Sequence, residues 1–283
     1  MTNIIDGRLL AKKVRADLKI KTEELKKKGI VPKLAVILVG DNEASKIYIR
    51  NKSRVCNKIG IEFEEKILEE NISMKELLDV IDELNERKDI SGILLQSPIP
   101  KHLDIQQAFQ GISPSKDVDG FNPINIGLMD INRENFVSCT PLGILKMFEE
   151  YKIDIKGKKV LVIGRSNIVG RPMAQVLVNR DATVTVAHSK TKDLKELTLI
   201  ADIIICAVGK PKLITADMVK EDVVVIDVGI NRNEETGKLC GDVDYENVSK
   251  KASYITPVPG GVGPMTIAML MSNVVKAAEK FKI

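Results

Sequence analysis

A loop near the end of the chain carries residues whose types and spacing suit ligand binding. The segment TPVPGGVGPMT, at 256–266, holds three prolines and three glycines. Proline fixes φ and lacks an N–H donor, whereas glycine permits positive φ and lets another molecule approach the backbone. Helix-forming residues follow from Met265 through Lys280, and a helix N-terminus presents free amides to an anion. The loop therefore indicates either a ligand site or a tight connection between a strand and the last helix.

The segment KVLVIGRSNIVGRP, at 159–172, is typical of a phosphate-binding turn. A buried strand ends at Gly164, and a helix is expected to begin near Val169. The pattern differs from the Rossmann sequence G-x-G-x-x-G, because Ser166 replaces the middle glycine and Gly170 comes one residue late. Gly164 still permits a tight turn, and Gly170 still permits close packing of the helix on the sheet. A strand–helix turn that binds no nucleotide remains the alternative.

The end of the next strand bears on which dinucleotide would bind. About 20 residues after the turn, a fold that prefers NAD usually places Asp or Glu on the ribose 2′-hydroxyl. This chain has His188, Ser189 and Lys190 there. Arg165, in the turn, can donate a fork of hydrogen bonds to a 2′-phosphate. These residues favour NADP, unless His188 and Ser189 are simply a polar strand exit.

Five polar residues in the first half of the chain could form a second site. Tyr48 and Lys52 are four residues apart, so they project from one face of a helix. Gln96 lies in the strand GILLQSP, and open α/β sheets bind ligands at strand ends. Asp117 and Asp119 lie in the irregular segment KDVDGFNP. A Tyr/Lys pair on a helix is more often a surface pair than a site. Short-chain dehydrogenases share its spacing but place it after the nucleotide turn, not before it.

Sequence patterns typical of strands and of helices alternate along the chain. The elements that they predict would hold these candidate residues in position. Apolar residues at helical spacing predict helices, and short apolar runs bounded by glycines predict strands. The stretch 110–139 breaks every pattern with Gly, Pro, Asn and Asp, so we expect a junction between domains in or just after it. The alternation predicts an α/β fold with parallel sheets and helices on both faces. Helices are expected at 7–28, 44–59 and 74–88, and strands at 34–40, 61–68, 92–98, 159–164, 183–188, 203–209 and 223–229.

Composition and charge exclude several classes of protein. A chain of 283 residues, 44% hydrophobic and 29% charged, suits one large or two ordinary soluble domains. A net charge of +4 is too mild to indicate nucleic acid. The four cysteines form no CxxC pair, which argues against a zinc site or a disulfide framework and fits the reduced cytosol. The sequence shows neither a signal peptide nor a run of ~20 apolar residues, so we expect a cytoplasmic protein that binds no metal and no membrane.

Taken as a set, these segments resemble the bifunctional methylenetetrahydrofolate dehydrogenase/methenyltetrahydrofolate cyclohydrolase family. Their order and spacing are far more specific than any one segment, and they span the whole chain. One departure is Ser97, where the family usually has a larger apolar residue at the wall of the substrate site. The matching segments are Tyr48 with Lys52, GILLQSPIP, KDVDGFNPINIG, SCTPLG, GRSNIVGRP, HSKT, DVGIN, GDVD and PVPGGVGPMT.

The resemblance implies two reactions at one folate site. The first oxidises 5,10-methylenetetrahydrofolate by hydride transfer to NADP, and the second hydrolyses the 5,10-methenyl cation to 10-formyltetrahydrofolate. Loss of hydride from the carbon between two nitrogens gives a delocalised amidinium and releases no proton, so this step needs mainly placement. Hydrolysis needs a proton acceptor, because water must attack the amidinium carbon.

The resemblance also assigns roles to residues of the substrate site. Lys52 would be the base of the hydrolysis, and Gln96 would hydrogen-bond to it and fix its position. Tyr48 would pack against the folate and support Lys52. Asp119 would accept hydrogen bonds from the amidine edge of the pterin. The folate would also be held by Gly261, Val262, Gly263 and Pro264.

The resemblance also implies which residues bind the cofactor and how the chain divides into domains. The phosphates, including the 2′-phosphate, would be held by Gly164, Arg165, Ser166 and Ser189, and the nicotinamide would meet the backbone of Ile230. The implied architecture is an N-terminal α/β catalytic domain at 1–138, rejoined by the C-terminal helix at 263–283, and a Rossmann-like NADP-binding domain at 139–262. Similar proteins are homodimers through the nucleotide domain.

Two other functions stay open on the sequence. Another NADP-dependent dehydrogenase, acting on a different small metabolite, would share the nucleotide turn. It would have no reason to combine Lys52, Gln96 and Asp119. A nucleotide-sensing regulator on the same fold would need no catalytic lysine.

Overall fold

The chain forms two compact units. The structure, a computed structural model, describes residues 2–232 and 237–280. Lys13–Val137 and the residues from Ile267 onward form one unit, which we call the three-stranded unit. Ser138–Thr266 and the residues up to Lys12 form the other, the six-stranded unit. The expected domains, 1–138 with 263–283 and 139–262, differ from these units chiefly at the N-terminus, and as functional boundaries they stay a prediction.

The described residues alternate between helices and strands. The helices are α1 (Gly7–Lys27), α2 (Glu43–Ile59), α3 (Met74–Glu86), α4 (Ile105–Gly111), α5 (Pro123–Asp130), α6 (Cys139–Glu150), α7 (Gly170–Val178), α8 (Leu194–Ile200), α9 (Tyr245–Val248) and α10 (Val262–Lys280). The strands are β1 (Asn3–Ile4), β2 (Lys33–Val39), β3 (Glu62–Leu68), β4 (Gly92–Leu95), β5 (Lys159–Ile163), β6 (Thr183–Ala187), β7 (Ile203–Cys206), β8 (Val224–Asp227), β9 (Asn231–Arg232), β10 (Leu239–Cys240) and β11 (Tyr254–Ile255). Within residues 2–232 and 237–280, no helix combines the length and the apolar character needed to cross a membrane.

The three-stranded unit is built around β2. Its strands run parallel in the order β3-β2-β4, and Leu34–Leu38 of the central strand are fully buried. Leu77, Ile81 and Leu84 follow one another at helical spacing, and this face of α3 shares a hydrophobic core with Ala35 and Ile37 of β2. Burial of these apolar faces stabilises the sheet and fixes the carboxyl ends of its strands.

Helix α2 is fixed at both ends. The side chain of Asn42 accepts a hydrogen bond from the amide of Ser45 at the start. Gly60 ends the helix with φ of 84°, a conformation that carries no steric penalty for glycine. Ile49 and Cys56 are buried. Fixed ends and a buried face set the rotation of the helix about its axis, and this decides where its other side chains point.

The six-stranded unit contains a parallel sheet. The strand order is β1-β11-β8-β7-β5-β6. From β5 the chain passes to β6 on one side and then to β7 on the other, so the direction of winding reverses between β5 and β7. Helix α7 packs against β5 and β6, and α8 packs against β5. In open α/β sheets, ligands bind at such a reversal, outside the carboxyl ends of the strands.

One edge of this sheet is formed by β1 and β11, which come from opposite ends of the chain. Asn3 pairs with Tyr254 in a parallel ladder. Just beyond β1, the amide of Arg8 donates to the carbonyl of Gly260 at 3.1 Å. The start of the chain is therefore anchored to the glycine- and proline-rich loop.

The expected α/β class with parallel sheets is confirmed, and the differences lie at element ends. Helix α10 begins at Val262, inside the loop and before Met265, where the helix formers begin. Strands β4, β7 and β8 stop two or three residues before their expected ends. The stretch expected to be irregular contains α5, which starts at Pro123 directly after the N-cap residue Asn122. Proline and asparagine, interpreted as breakers, here begin a helix.

Candidate active site

Lys52 and Gln96 meet in the three-stranded unit. Nζ of Lys52 donates to Oε1 of Gln96 at 2.7 Å. The other end of the amide is also held, because Nε2 of Gln96 donates to the carbonyl of Ser97 at 2.6 Å. Gln96 is 8% exposed, and its backbone amide donates to the carbonyl of Ile37 at 2.9 Å. The glutamine is thus fixed at the end of β4 with its oxygen towards the lysine.

Tyr48 lies one helical turn before Lys52 on α2. Its side chain is 49% exposed, so an apolar ring with a polar tip is accessible on the helix face that carries the amine. Ser97, exposed at the end of β4, adds no apolar bulk there. The arrangement offers an amine of fixed position and a ring against which a planar ligand can pack.

Asp117 shapes the loop that follows β4 in space. Its carboxylate is 2% exposed and accepts hydrogen bonds from the amides of Gly120, Phe121 and Asn122 at 3.1, 3.1 and 2.8 Å. The side-chain amide of Asn125 donates a fourth, at 2.8 Å. Burial raises the pKa of Asp117 above its ordinary value, against the effect of these four donors. A carboxylate occupied in this way organises the backbone and is not available to a ligand.

Lys116 supports the same loop from inside the unit. Its Nζ is buried and donates to the carbonyls of Leu84, Asn85 and Arg87 at 2.9, 2.7 and 2.6 Å. These carbonyls close the C-terminal end of α3, where the helix dipole favours a cation. Burial lowers the pKa of Lys116 below its ordinary value. The lysine ties the start of the loop to α3.

Asp119 is the partly exposed carboxylate of this loop. Ile93 of β4 is bridged in parallel to Asp117, so the loop leaves the sheet beside β4. Gln96 lies three residues beyond Ile93, and Asp119 lies two beyond Asp117. Both side chains therefore come from the same edge of the sheet, which is the carboxyl edge. Of the two aspartates in KDVDGFNP, the structure leaves Asp119 as the candidate for ligand binding.

In the six-stranded unit, the strand–helix turn requires both of its glycines. Gly164 has φ of 117°, and a Cβ there would lie 2.4 Å from the carbonyl oxygen of Ala207. A Cβ on Gly170 would lie 2.2 Å from the carbonyl oxygen of Gly164. The end of β5, the end of β7 and the start of α7 thus approach too closely for any side chain. This is the geometry in which a helix N-terminus faces a phosphate across a tight turn.

Ser166 explains why the turn departs from the Rossmann sequence. Its Oγ accepts hydrogen bonds from the amides of Val169 and Gly170 at 3.2 and 3.4 Å. The hydroxyl therefore caps α7, whose N-cap residue Val169 has no capping side chain. Because Oγ is the acceptor in both bonds, its own proton is left to donate to a ligand oxygen. Ser166 thus contributes a hydroxyl where the Rossmann turn has a bare glycine.

Arg165 and Ser189 follow neighbouring strands. Ile163 of β5 pairs with Ala187 of β6, and the amide of Gly164 donates to the carbonyl of Ala187 at 2.8 Å. Arg165 and Ser189 are two residues beyond this pair, and both are exposed. An arginine and a hydroxyl at adjacent strand ends suit a phosphate.

The segment after β6 is folded back on itself. The amide of Thr191 donates to the carbonyl of His188 at 2.8 Å, and the amide of Lys190 donates to Nδ1 of the same histidine at 3.2 Å. Nδ1 is therefore an acceptor, and in the neutral ring the proton resides on Nε2. This closed turn holds Ser189 at its tip.

Ile230 lies beside a pocket in the same unit. The pocket measures about 470 Å³, including the part open to solvent, and the Ile230 side chain is 54% exposed. A Cβ on Gly261 would lie 2.7 Å from the carbonyl oxygen of Pro257, so the loop is closely packed on itself. The lining includes four residues proposed for folate binding: Gly261, Val262, Gly263 and Pro264.

Arg8 also lines this pocket and was missed in the sequence analysis. It lies in the first turn of α1, where the helix dipole disfavours a cation. A basic residue in an unfavourable position was the one signal that could have pointed to it. In this structure it supplies a guanidinium to a pocket otherwise lined mainly by glycine, proline and aliphatic residues.

Sequence models of one family match both halves of the chain. The model described as "Tetrahydrofolate dehydrogenase/cyclohydrolase, catalytic domain" matches residues 5–119, and "Tetrahydrofolate dehydrogenase/cyclohydrolase, NAD(P)-binding domain" matches 138–282. The bifunctional protein FolD of Nautilia profundicola is 57% identical over 278 residues, which cover 98% of each chain. That of Bacillus cytotoxicus is 56% identical and covers 98% of this chain and 96% of its own.

Solved structures agree over the full length. The bifunctional enzyme FolD-methylenetetrahydrofolate dehydrogenase/cyclohydrolase from Campylobacter jejuni has a TM-score of 0.97 at 53% identity and covers 99% of each chain. FolD of Trypanosoma brucei, solved with NADP cofactor and inhibitor, has a TM-score of 0.94 at 35% identity and covers 99% of this chain and 98% of its own. The chain therefore belongs to the tetrahydrofolate dehydrogenase/cyclohydrolase family.

Proposed function

We propose that this protein oxidises 5,10-methylenetetrahydrofolate with NADP and then hydrolyses the methenyl product to 10-formyltetrahydrofolate. The observation that carries the proposal is the 2.7 Å hydrogen bond between Lys52 and Gln96 at the end of β4. A dehydrogenase of this substrate needs no amine, because loss of hydride releases no proton. The hydrolysis needs a proton acceptor held in a fixed position. The relatives named bifunctional FolD support both halves of the proposal.

The oxidation depends on placement. NADP, when bound, accepts a hydride on its nicotinamide ring. The fit of this chain to a dinucleotide rests on the close approach of Gly164 and Gly170, which brings the start of α7 to the end of β5. Ser166 would donate its hydroxyl proton to a phosphate oxygen, and the backbone of Ile230 would orient the nicotinamide.

In the hydrolysis, Lys52 would act in its neutral form and take a proton from the attacking water. The adjacent amidinium cation favours the neutral amine, because two cations close together repel. Gln96 would hold Nζ in place, and Tyr48 would pack against the folate. Asp119 would accept from the amidine edge of the pterin and so prevent the ring from turning. Contacts from the Gly261–Pro264 loop would add to the binding of the folate.

The proposal is tested by supplying the purified protein with methylenetetrahydrofolate and NADP. NADPH and a methenyl absorbance should appear together, and the methenyl absorbance should then decay faster than in buffer. A second assay should start from methenyltetrahydrofolate without NADP and isolate the hydrolysis. If no NADPH forms, the oxidation is rejected. That is the result expected for a dehydrogenase of another metabolite or for a nucleotide sensor. Hydrolysis no faster than in buffer would reject the second step.

We further propose that the cofactor is NADP in preference to NAD. Support comes from Arg165 and Ser189, which lie two residues beyond paired residues of β5 and β6. The three residues directly after β6, His188 to Lys190, include no carboxylate. We expect kcat/KM to favour NADP by at least about tenfold, or ~1.4 kcal/mol. Arg165→Ala should reduce this preference by weakening NADP alone, and Ser189→Asp should reduce it further, because a new carboxylate repels the 2′-phosphate. Equal efficiency with the two cofactors would contradict the assignment.

A homodimer through the six-stranded unit is the proposed assembly. Strand β6 forms an edge of the sheet, and apolar side chains of β6 and of the helix packed on it are exposed, namely Val186 and Val178. An unpaired edge with apolar neighbours suits pairing with a second copy. Light scattering should give twice the mass of the chain, and Val186→Lys should shift it towards the monomer. A monomeric wild-type protein would reject this assembly.

A cytoplasmic location is also proposed. All four cysteines are free thiols, and Cys56, Cys139 and Cys206 are buried, which suits a reducing compartment. Cell fractionation should recover the protein with cytoplasmic markers. Recovery with exported proteins would contradict this location.

A further inference from the structure

Asp242 is a fully buried carboxylate that joins two strand ends. Its Oδ2 accepts hydrogen bonds from the amides of Val208 and Gly209 at 2.8 and 3.0 Å. Its Oδ1 accepts from the amide of Lys210 and from Nδ2 of Asn231, both at 2.8 Å. The first three donors follow β7, and the fourth follows β8. One side chain thus fixes both loops at the carboxyl edge of the sheet.

A second buried carboxylate holds the first in place. Oδ1 of Asp227 accepts from the amides of Gly229 and Asp242 at 3.0 and 2.9 Å, and Oδ2 accepts from the amide of Val243 at 3.0 Å. Asp227 is the last residue of β8. The backbone of Asp242 is therefore attached to the strand end, while its side chain gathers the loops beyond it.

The packing around the two carboxylates leaves no room for a side chain at Gly229 or Gly241. A Cβ on Gly229 would lie 2.2 Å from Cγ of Asp242, and a Cβ on Gly241 would lie 1.8 Å from Oδ2 of Asp227. Two carboxylates this deep in a protein are costly, because burial removes both from bulk solvent. Burial, with a contribution from Asp242, raises the pKa of Asp227 to about 6. For stability alone, apolar packing of the same volume would serve as well or better.

The position of the network relates it to the cofactor. Ligands of open α/β sheets lie outside the carboxyl ends of the strands, and the loops that Asp242 fixes leave β7 and β8 at that edge. Ile230 immediately precedes Asn231, one of the four donors to Asp242. Gly164, on the phosphate side, approaches Ala207, which precedes Val208. The network therefore connects the backbone on both sides of the proposed nicotinamide position.

We propose that Asp242 is a positioning residue for hydride transfer, which sets the nicotinamide through the loops that carry Val208 and Ile230. The inference rests on the proposed function, which places the nicotinamide against the backbone of Ile230. Asp242 itself is fully buried and acts through its four donors. Hydrolysis depends on Lys52, in the three-stranded unit, and needs no nicotinamide. The two activities of the protein should therefore respond differently when Asp242 is changed.

Asp242→Asn is the first test. The change keeps the size of the side chain but turns one acceptor oxygen into an N–H donor that faces other donors, so two of the four hydrogen bonds are lost. We expect the dehydrogenase kcat to fall roughly 10- to 100-fold, as for a reacting group misplaced by a fraction of an ångström. The cyclohydrolase kcat, measured from methenyltetrahydrofolate without NADP, should stay within about twofold. The NADP Kd should change by less than about threefold, because the phosphate contacts are elsewhere.

Two further variants separate positioning from stability. Asn231→Ala removes one donor from Asp242 at a half-buried surface position and leaves the carboxylate in place, so it serves if Asp242→Asn does not fold. Its dehydrogenase kcat should fall about 2- to 10-fold, because the variant loses one of the four hydrogen bonds to Asp242. Asp202→Asn is the matched control. Asp202 also accepts a hydrogen bond from a backbone amide, that of Lys159 at 2.8 Å, but it lies at the amino edge of the same sheet. The dehydrogenase kcat of Asp202→Asn should therefore be unchanged.

The outcomes distinguish this inference from the proposed function. If the wild-type protein forms no NADPH, the proposed function fails. If the wild type is active and folded Asp242→Asn keeps its dehydrogenase kcat, or loses both activities in parallel, the positioning role is overturned. An unchanged ratio of the two activities in Asn231→Ala would overturn it as well. A lower melting temperature with normal turnover would show a purely structural carboxylate.

Discussion

Gly170→Ala tests the dinucleotide turn with a single methyl group. A Cβ at this position would lie 2.2 Å from the carbonyl oxygen of Gly164 and 2.9 Å from Cα of Arg165. Ordinary contact begins at 3.4 Å, so the end of β5 and the start of α7 must separate by about 1 Å. Both contacts are with backbone atoms, and no side chain can rotate away to relieve them.

The size of the effect follows from that separation. Overpacking of this kind costs about 1–3 kcal/mol of unfolding free energy, and for a domain of this size Tm falls by roughly 2–4 °C per kcal/mol. NADP affinity should fall at least about tenfold, or ~1.4 kcal/mol, because the hydroxyl of Ser166 and the amides at the start of α7, which we propose bind the phosphates, would be displaced from them. Hydrolysis of methenyltetrahydrofolate without NADP should stay within about twofold of wild type.

Isothermal titration with NADP, calorimetry and the hydrolysis assay measure these three quantities. Gly157→Ala is the matched control, because Gly157 has φ of 69° and nothing lies within 4 Å of a Cβ there. It should lower stability by about 1–2 kcal/mol through backbone strain and leave NADP binding intact. An NADP Kd for Gly170→Ala within about twofold of wild type would refute the reasoning.

Three other changes have defined outcomes. Lys52→Met should slow hydrolysis by roughly 10²–10⁴-fold while oxidation persists, so methenyl product accumulates; near-normal hydrolysis would remove the lysine from the mechanism. Asp119→Ala should weaken folate binding by about 2–4 kcal/mol and leave NADP binding unchanged, and titration with each ligand decides this. Hydrogen bonds from Arg87 lower the pKa of Glu64 to about 2, below about 4.3 in the unfolded chain. The ionised pair therefore stabilises the fold above about pH 4.3, and this contribution is lost as the pH falls towards about 2. Urea unfolding at pH 6 and pH 3 measures how much unfolding free energy the protein loses on acidification. In Arg87→Met this loss should be smaller than in wild type by about 1 kcal/mol, a value discounted for the partial exposure of the pair. An identical loss in both proteins would contradict the prediction.

The long elements could be predicted because burial leaves a pattern in the sequence. Leu34–Leu38 form a continuous apolar run, and the run is the fully buried central strand β2. Strands β1 and β11 have two residues each, too few for any pattern, and they exist because Asn3 and Tyr254 pair across the whole chain. Helix α10 starts inside the loop because backbone geometry, not helix propensity, decides its first turn.

The sequence indicates candidate residues for the site but not what each of them does. Asp117 and Asp119 are equivalent in the sequence, and only the fold shows that Asp117 is buried and bonded to the amides of the loop while Asp119 is partly exposed. Lys116 would be expected in solvent, yet it is buried against three carbonyls at the end of α3. Arg8 is near the start of the chain and meets its pocket only through the fold. Contacts between distant segments leave no local signal.

The pairing of β1 with β11 sets the order in which the six-stranded unit can fold during synthesis. Asn3 is synthesised long before its partners Ser253 and Tyr254, which lie some 250 positions later. Until they emerge, β8 pairs only with β7, and the side of β8 that later pairs with β11 stays open. Such an open edge can pair with other chains. Translation that stops before Tyr254 therefore yields a nucleus for aggregation, not a smaller enzyme.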